Sequence, residues 1–175
     1  MKTKIILFFV VVILFSVSCK DDKVAPVTLP KFEGVTYIDN NGNIVGSVDT
    51  TDWRIDDKFT ELERNLFDTL KFDRTLSLKS NLKKTFGVVP VSDSIIHFYP
   101  NPVSERGNFK FNSAFIVNIV IVDNNFTQKI KLRFQSHQVL IDLKSLNAGI
   151  NRMYYIFQDS SYKIIGMGHG DIQKI

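Results

Sequence analysis

Lys129-Ile130-Lys131-Leu132-Arg133-Phe134-Gln135 sets Ile130, Leu132 and Phe134 on one side of an extended chain and polar residues on the other. Successive side chains of a strand point to opposite faces, so this period of two marks a strand with one buried and one wet face. Asn108-Phe109-Lys110-Phe111-Asn112 repeats the pattern upstream. Between the two, residues 115–122 are apolar except for Asn118, which predicts a central strand covered on both faces. Further strands are predicted at 95–99, 139–143, 153–157 and 162–167. Turn formers separate them at Asp123-Asn124-Asn125 and Asn147-Ala148-Gly149, and no helix of crossover length intervenes. The prediction for residues 91–175 is therefore a mainly β domain: seven short strands in an antiparallel, immunoglobulin-like β-sandwich without the cysteine pair of antibody domains.

Residues 33–90 read as a smaller hairpin-and-helix region. Val35-Thr36-Tyr37-Ile38 leads into Asp39-Asn40-Asn41-Gly42-Asn43, and Ile44-Val45-Gly46-Ser47-Val48 leads out. Asn-Gly supplies the positive φ angles of a tight hairpin turn. A calcium loop would want glycine at its sixth position and glutamate at its twelfth, where Ile44 and Thr50 stand, so turn chemistry is the reading. Phe59, Leu62, Leu66, Phe67 and Leu70 then recur at helical period, with Asp56 or Asp57 as the cap and Trp53 packed against the apolar face as a staple. Lys71, Arg74, Lys79, Lys83 and Lys84, opposed by Asp73, lack the one-sided arrangement and interleaved aromatics of a phosphate-binding surface. Nucleic acid is not an expected partner.

At the N-terminus, Lys2 and Lys4 precede an unbroken apolar run over residues 5–15, then Ser16-Val17-Ser18-Cys19. As a helix this run would reach only about 17 Å, against the ~30 Å of a hydrocarbon core. A positive end, a short apolar core and small residues before a cut form the layout of a secretory leader. Its removal takes two lysines from the formal charge of +4, so the basic pI near 9.1 carries little information about partners. Residues 19–32, with Pro26 and Pro30, read as an extended tether.

The only cysteine of the 175 residues stands directly after the leader. In this the chain resembles a bacterial lipoprotein precursor, cut before a cysteine that becomes the acylated N-terminus; Ser16 replaces the leucine usual in that signal. The resemblance implies residues 1–18 as signal peptide, Cys19 as the lipidated residue, and an outer-membrane, surface-exposed address. Lys20, Asp21 and Asp22 look like the surface-export signal of lipoproteins from type IX-secreting bacteria. Residues 91–175 resemble the C-terminal sorting domain of type IX cargo through Tyr99-Pro100-Asn101-Pro102 and through Gly149, which ends Asp142-Leu143-Lys144-Ser145-Leu146-Asn147-Ala148-Gly149. Asn151 stands where that family has tyrosine, and Asn124-Asn125-Phe126 replaces its glycine-lysine. If residues 95–175 act in sorting, their deletion is expected to leave a folded remainder inside the cell. The triplets at Thr50, Thr69 and Ser94 resemble the aspartate-hydroxyl-apolar O-glycosylation pattern of the same bacteria, with Thr51 in the apolar place of the first.

Reactive chemistry is sparse in the pattern. No HExxH, paired cysteines, phosphate loop or nucleophile elbow occurs, and His97, His137 and His169 have no metal-ligand spacing. His97 is expected in a strand and His137 in a turn. Gly166-Met167-Gly168-His169-Gly170-Asp171 predicts a bulged or kinked last strand, with His169 and Asp171 sharing a face. No cofactor or metal is expected. The function expected is non-catalytic: a lipid-anchored surface protein that binds, adheres or organises the envelope, with the outer membrane and an envelope protein or glycan as partners. The alternatives are an envelope hydrolase using Asp52, Asp56 and Asp57, or a sorting role for the C-terminal sandwich.

Overall fold

The structure is a computed structural model and describes residues 28–32, 34–56, 58–68 and 96–175. It is mainly antiparallel β. The strands are β1 (Arg54–Ile55), β2 (Ile96–Tyr99), β3 (Arg106–Val122), β4 (Gln128–Asp142), β5 (Gly149–Gln158) and β6 (Ile164–Lys174), with one short helix, α1 (Glu61–Asn65). They form a six-stranded sheet in the order β1-β6-β5-β3-β2, with β4 paired to β3.

β3 organises the sheet. β4 runs along one side of its whole length, while the other side pairs with β2 near its start and with β5 from Ile116 onward. Flanked twice, the second half of β3 is buried on both faces: Val117, Ile119 and Ile121 enter one core, Val120 and Val122 another. This burial accounts for the apolar run. β4 keeps the predicted alternation, with Ile130, Leu132 and Phe134 packed inward.

The seven short strands predicted beyond residue 91 are five, because two pairs of them are continuous. The segments either side of residues 112–114 belong to β3, and those either side of Ser136-His137-Gln138 belong to β4. The polar interruptions that read as turns are taken up by a register shift: Lys110 pairs with Gln138, yet Phe115 pairs with Ser136. Extra residues on one strand bend the ladder without ending it. His137 accordingly lies exposed within β4 and not in a turn. The chain after β2 returns to the end of β6, where Val103 N–H donates to Gln173 O (2.9 Å) and Ile175 N–H to Val103 O (3.0 Å). The sheet thus folds over on itself like a sandwich, around Phe98, Phe109, Phe111, Tyr155 and Phe157.

The hairpin forms as read. Gly42 has φ +85°, Ile38 bridges Ile44, and Asp39 Oδ1 accepts from the N–H groups of Asn41 and Asn43, both at 2.8 Å. Helix α1 is shorter than expected and starts elsewhere. Its cap is Thr60, whose hydroxyl accepts from Glu63 N–H while the Glu63 carboxylate accepts from Thr60 N–H (2.7 Å). This reciprocal box outcompetes Asp56, which is drawn to the sheet edge where its N–H donates to Met167 O; Asp57 and Leu70 lie outside the described residues. Phe59 and Phe67, on either side of α1, pack against Tyr154 and Ile156 on the outer face of β5.

Trp53 is buried, but not against α1. At φ +50° it turns its ring over β6 and stacks on Phe98 with centroids 5.6 Å apart, in the other core. Gly170 makes this possible: a Cβ there would come within 2.3 Å of the indole. Gly168 likewise admits Arg54 O. The glycines therefore permit close approach within a regular ladder, and the predicted irregularity falls further upstream, at Ile165.

Candidate functional site

Two of the motifs singled out in the sequence, Tyr99-Pro100-Asn101-Pro102 and the turn at Gly149, meet at the C-terminal end of β6. After β2, Pro100 and Pro102 deny the backbone two donors, and both of their peptide bonds are cis. Asn101 between them is fully buried. Its backbone exchanges hydrogen bonds with Ile38 (2.7 and 2.8 Å). Its side-chain Nδ2 donates to Thr36 O (3.0 Å) and Asp171 O (2.9 Å), and its Oδ1 accepts from Gln173 N–H (2.8 Å). One amide thus ties its own segment to two others remote in sequence. Tyr99 packs half-buried beside this point. Gly149, at φ +116°, pairs with Lys174, which also bridges Val103. Both halves of the sorting-domain-like pattern are therefore held by the last two residues of β6.

A buried ionic network continues from Asn101. Asp52 accepts from Thr36 N–H and from Asp171 N–H, each at 2.7 Å. Burial, reinforced by the Asp171 carboxylate and opposed by those two N–H groups, pushes its pKa up to about 6. Arg152 holds Asp171 with two parallel hydrogen bonds of 2.7 Å, both side chains buried. Burial works against the guanidinium charge, but the hydrogen bonds and charge of Asp171 outweigh it and keep the group above its ordinary pKa. Phe32 covers Arg152, with the guanidinium 4.5 Å from the ring centroid. Beside it the Tyr154 phenol is raised by burial and then by the Glu63 carboxylate, against Arg152.

At the neighbouring edge, Asp56 accepts from Arg54 Nε (3.1 Å) and pairs with His169 Nδ1 (2.7 Å). His169 and Asp171 share a face, as predicted, but engage different partners. The carboxylates proposed for hydrolysis are likewise divided: Asp52 binds backbone N–H groups inside the protein, and Asp56 binds His169 at the rim. Among the described residues no group of three or more His, Cys, Asp or Glu is placed to hold a metal ion.

Comparison with protein-family models, curated proteins and solved structures finds no match for this chain.

Of the residues singled out by sequence, Thr50 is exposed in the turn that Asp49 closes by accepting from Thr51 N–H and hydroxyl. His97 is half-buried in β2 opposite Lys110. The expected leader over 1–18, Cys19, Lys20, Asp21, Asp22, Thr69, Ser94 and the basic residues between 71 and 84 lie outside the described residues. Sequence reasoning missed Arg152, Thr36 and Phe32. Arg152 did leave a signal: a lone cation directly before the apolar stretch Met153-Tyr154-Tyr155-Ile156-Phe157 must find a partner if that strand is covered.

Proposed function

We propose that the protein is a non-catalytic, lipid-anchored surface lipoprotein that binds an envelope protein or glycan. The observation that carries this reading is the placement of the sole cysteine, Cys19, directly after a short apolar leader with a basic start. An acylated Cys19 followed by a tether would hold the folded body close to the outer membrane, since two or more acyl chains suffice for durable anchoring.

The use of polar groups in the body supports the binding half of the reading. Asp52, Asp171, Arg152 and Asn101 spend their hydrogen-bonding capacity on one another and on the backbone, which rigidifies the junction between N-terminal segment and sheet. A rigid β body on a short leash suits recognition at a surface.

The test is a pull-down from outer membranes with the native protein and with Cys19→Ala, together with intact mass. The expected result is an acyl mass on the native protein and specific partners that the variant loses. An unmodified thiol on protein made by its native host would overturn the anchor.

A further inference from the structure

Three of the described turns are built to one plan. Asp39, Asp123 and Asp159 each open a five-residue turn in which the carboxylate accepts from the N–H groups two and four residues on. In each, the aspartate N–H donates to the carbonyl of the fifth residue, and the N–H of the fourth donates to the aspartate carbonyl. The fourth residue is left-handed every time: Gly42 at φ +85°, Phe126 at φ +60° and Tyr162 at φ +62°. Glycine adopts that conformation freely, whereas a residue with a Cβ is strained in it. Phe126 offsets the strain by packing on the core, edge-on to Tyr154 with centroids 5.9 Å apart. Tyr162 has no such compensation, because it is 63% exposed.

Buried polar groups nevertheless hold this strained residue in place. Asn118, the polar exception in the apolar run of β3, donates through Nδ2 to Gln158 Oε1 (2.8 Å), and Gln158 Nε2 donates to Tyr162 O (2.7 Å). Both amides are buried, where such groups require hydrogen-bond partners. Arg133 stands opposite Asn118 on β4, and its guanidinium lies over the Tyr162 ring, 5.3 Å from the centroid. Three strands and a turn thus converge on one exposed phenol. Among the described residues Arg133 makes no ion pair, so its charge is open to a ligand. Ser160, Ser161 and Lys163 beside Tyr162, and Gln135 beside Arg133, are exposed and polar. A protein partner would call for an apolar patch around such an anchor; a single aromatic ring in a polar setting, with a free cation, fits a charged sugar.

Resting on the glycan-binding reading, we propose that Tyr162 and Arg133 form a binding site for an acidic sugar unit of an envelope glycan. The negative face of the phenol ring takes the C–H groups of a pyranose, and the guanidinium takes its carboxylate.

Isothermal titration calorimetry of the full-length protein with galacturonate oligomers tests this, with neutral galactose oligomers of equal length as control. The acidic oligomer should bind about tenfold more tightly than the neutral one, and more weakly as salt rises. Tyr162→Gly and Arg133→Gln should each weaken it by about tenfold. Tyr162→Gly should also keep or raise the thermal unfolding midpoint, because glycine relieves the left-handed strain. A lowered midpoint would show that the ring serves the fold and would overturn the proposal. Equal binding of the two oligomers, or binding of neither, would overturn it as well. Tetraglutamate binding as tightly as galacturonate would overturn it in favour of an acidic peptide. Outer-membrane partners of the native protein that Tyr162→Gly still captures would overturn this site and leave the broader binding reading standing, whereas their loss supports it.

Discussion

At the scale of single residues, Asp52 shows how the interior trades solvation for connection. Its carboxylate accepts two backbone N–H groups in place of water, and burial lifts its pKa from 3.8 to about 6. A carboxyl group raised in the folded state binds its proton more tightly there than in the unfolded chain. Its contribution to stability is complete below about pH 3.8 and is lost as pH rises through about 6. The unfolding free energy of the natural protein, measured relative to Asp52→Asn, should therefore fall by on the order of 2 kcal/mol between about pH 4 and about pH 7. Denaturant titrations at a series of pH values provide the measurement, and a constant difference would refute the assignment.

At the scale of elements, β6 is the strand on which the others depend. It pairs with β5 over its length and with β1 at its edge, and its glycines leave room for neighbours on the face where Trp53 lies. A methyl group at Gly170 would meet the indole, so Gly170→Ala should cost about 1–3 kcal/mol, as overpacking of a close-packed core does. Trp53 is the only tryptophan. Its emission should move to longer wavelength in this variant if the ring is expelled, and should stay unchanged in Leu140→Ala, an exposed position on β4. An unshifted spectrum with unchanged stability in Gly170→Ala would contradict the packing described.

Legibility divided along the same line. Period two marked β4 and the start of β3, because burial of one face imposes it locally, whereas β5 and β6 are buried on both faces and do not alternate. The apolar run 115–122 announced a strand covered twice. The merger of short strands into β3 and β4 was hidden, since a bulge and a turn both call for small or polar residues; only the pairing partner distinguishes them. The start of α1 was misread because Asp56 is as good a cap as Thr60 until His169 claims it. The network at Asn101 was invisible for a related reason. Tyr99-Pro100-Asn101-Pro102 could be picked out as a motif, but the partners of its asparagine lie 65 to 72 positions away.

At the scale of the whole molecule, the N-terminal segment and the sandwich share one framework. β1 pairs with β6, Trp53 stacks in the main core, and Thr36, Ile38 and Asp52 are tied to Asn101 or Asp171. Deleting residues 95–175 thus removes the partners of the N-terminal segment, and the folded remainder expected from the sorting-domain resemblance would not form. Conversely, a fragment covering 95–175 would lack Trp53, Asp52 and Thr36. It should show weak near-ultraviolet circular dichroism and a non-cooperative thermal transition, in contrast to the sharp transition of the full chain; a sharp transition in the fragment would show the sandwich to be autonomous.

The fastening of residue 36 to residue 171 also bears on timing. A polypeptide that emerges from a ribosome or a translocation channel leading end first presents Thr36, Asp52 and Trp53 long before the strand they close upon. Until Gln173 is clear, Asn101 lacks one of its three side-chain partners and β1 has only a partly built edge to join. Contacts of such long sequence separation form late and slowly. The leading stretch therefore spends its passage as open chain, accessible to whatever enzymes handle it, and snaps shut only when the trailing end arrives.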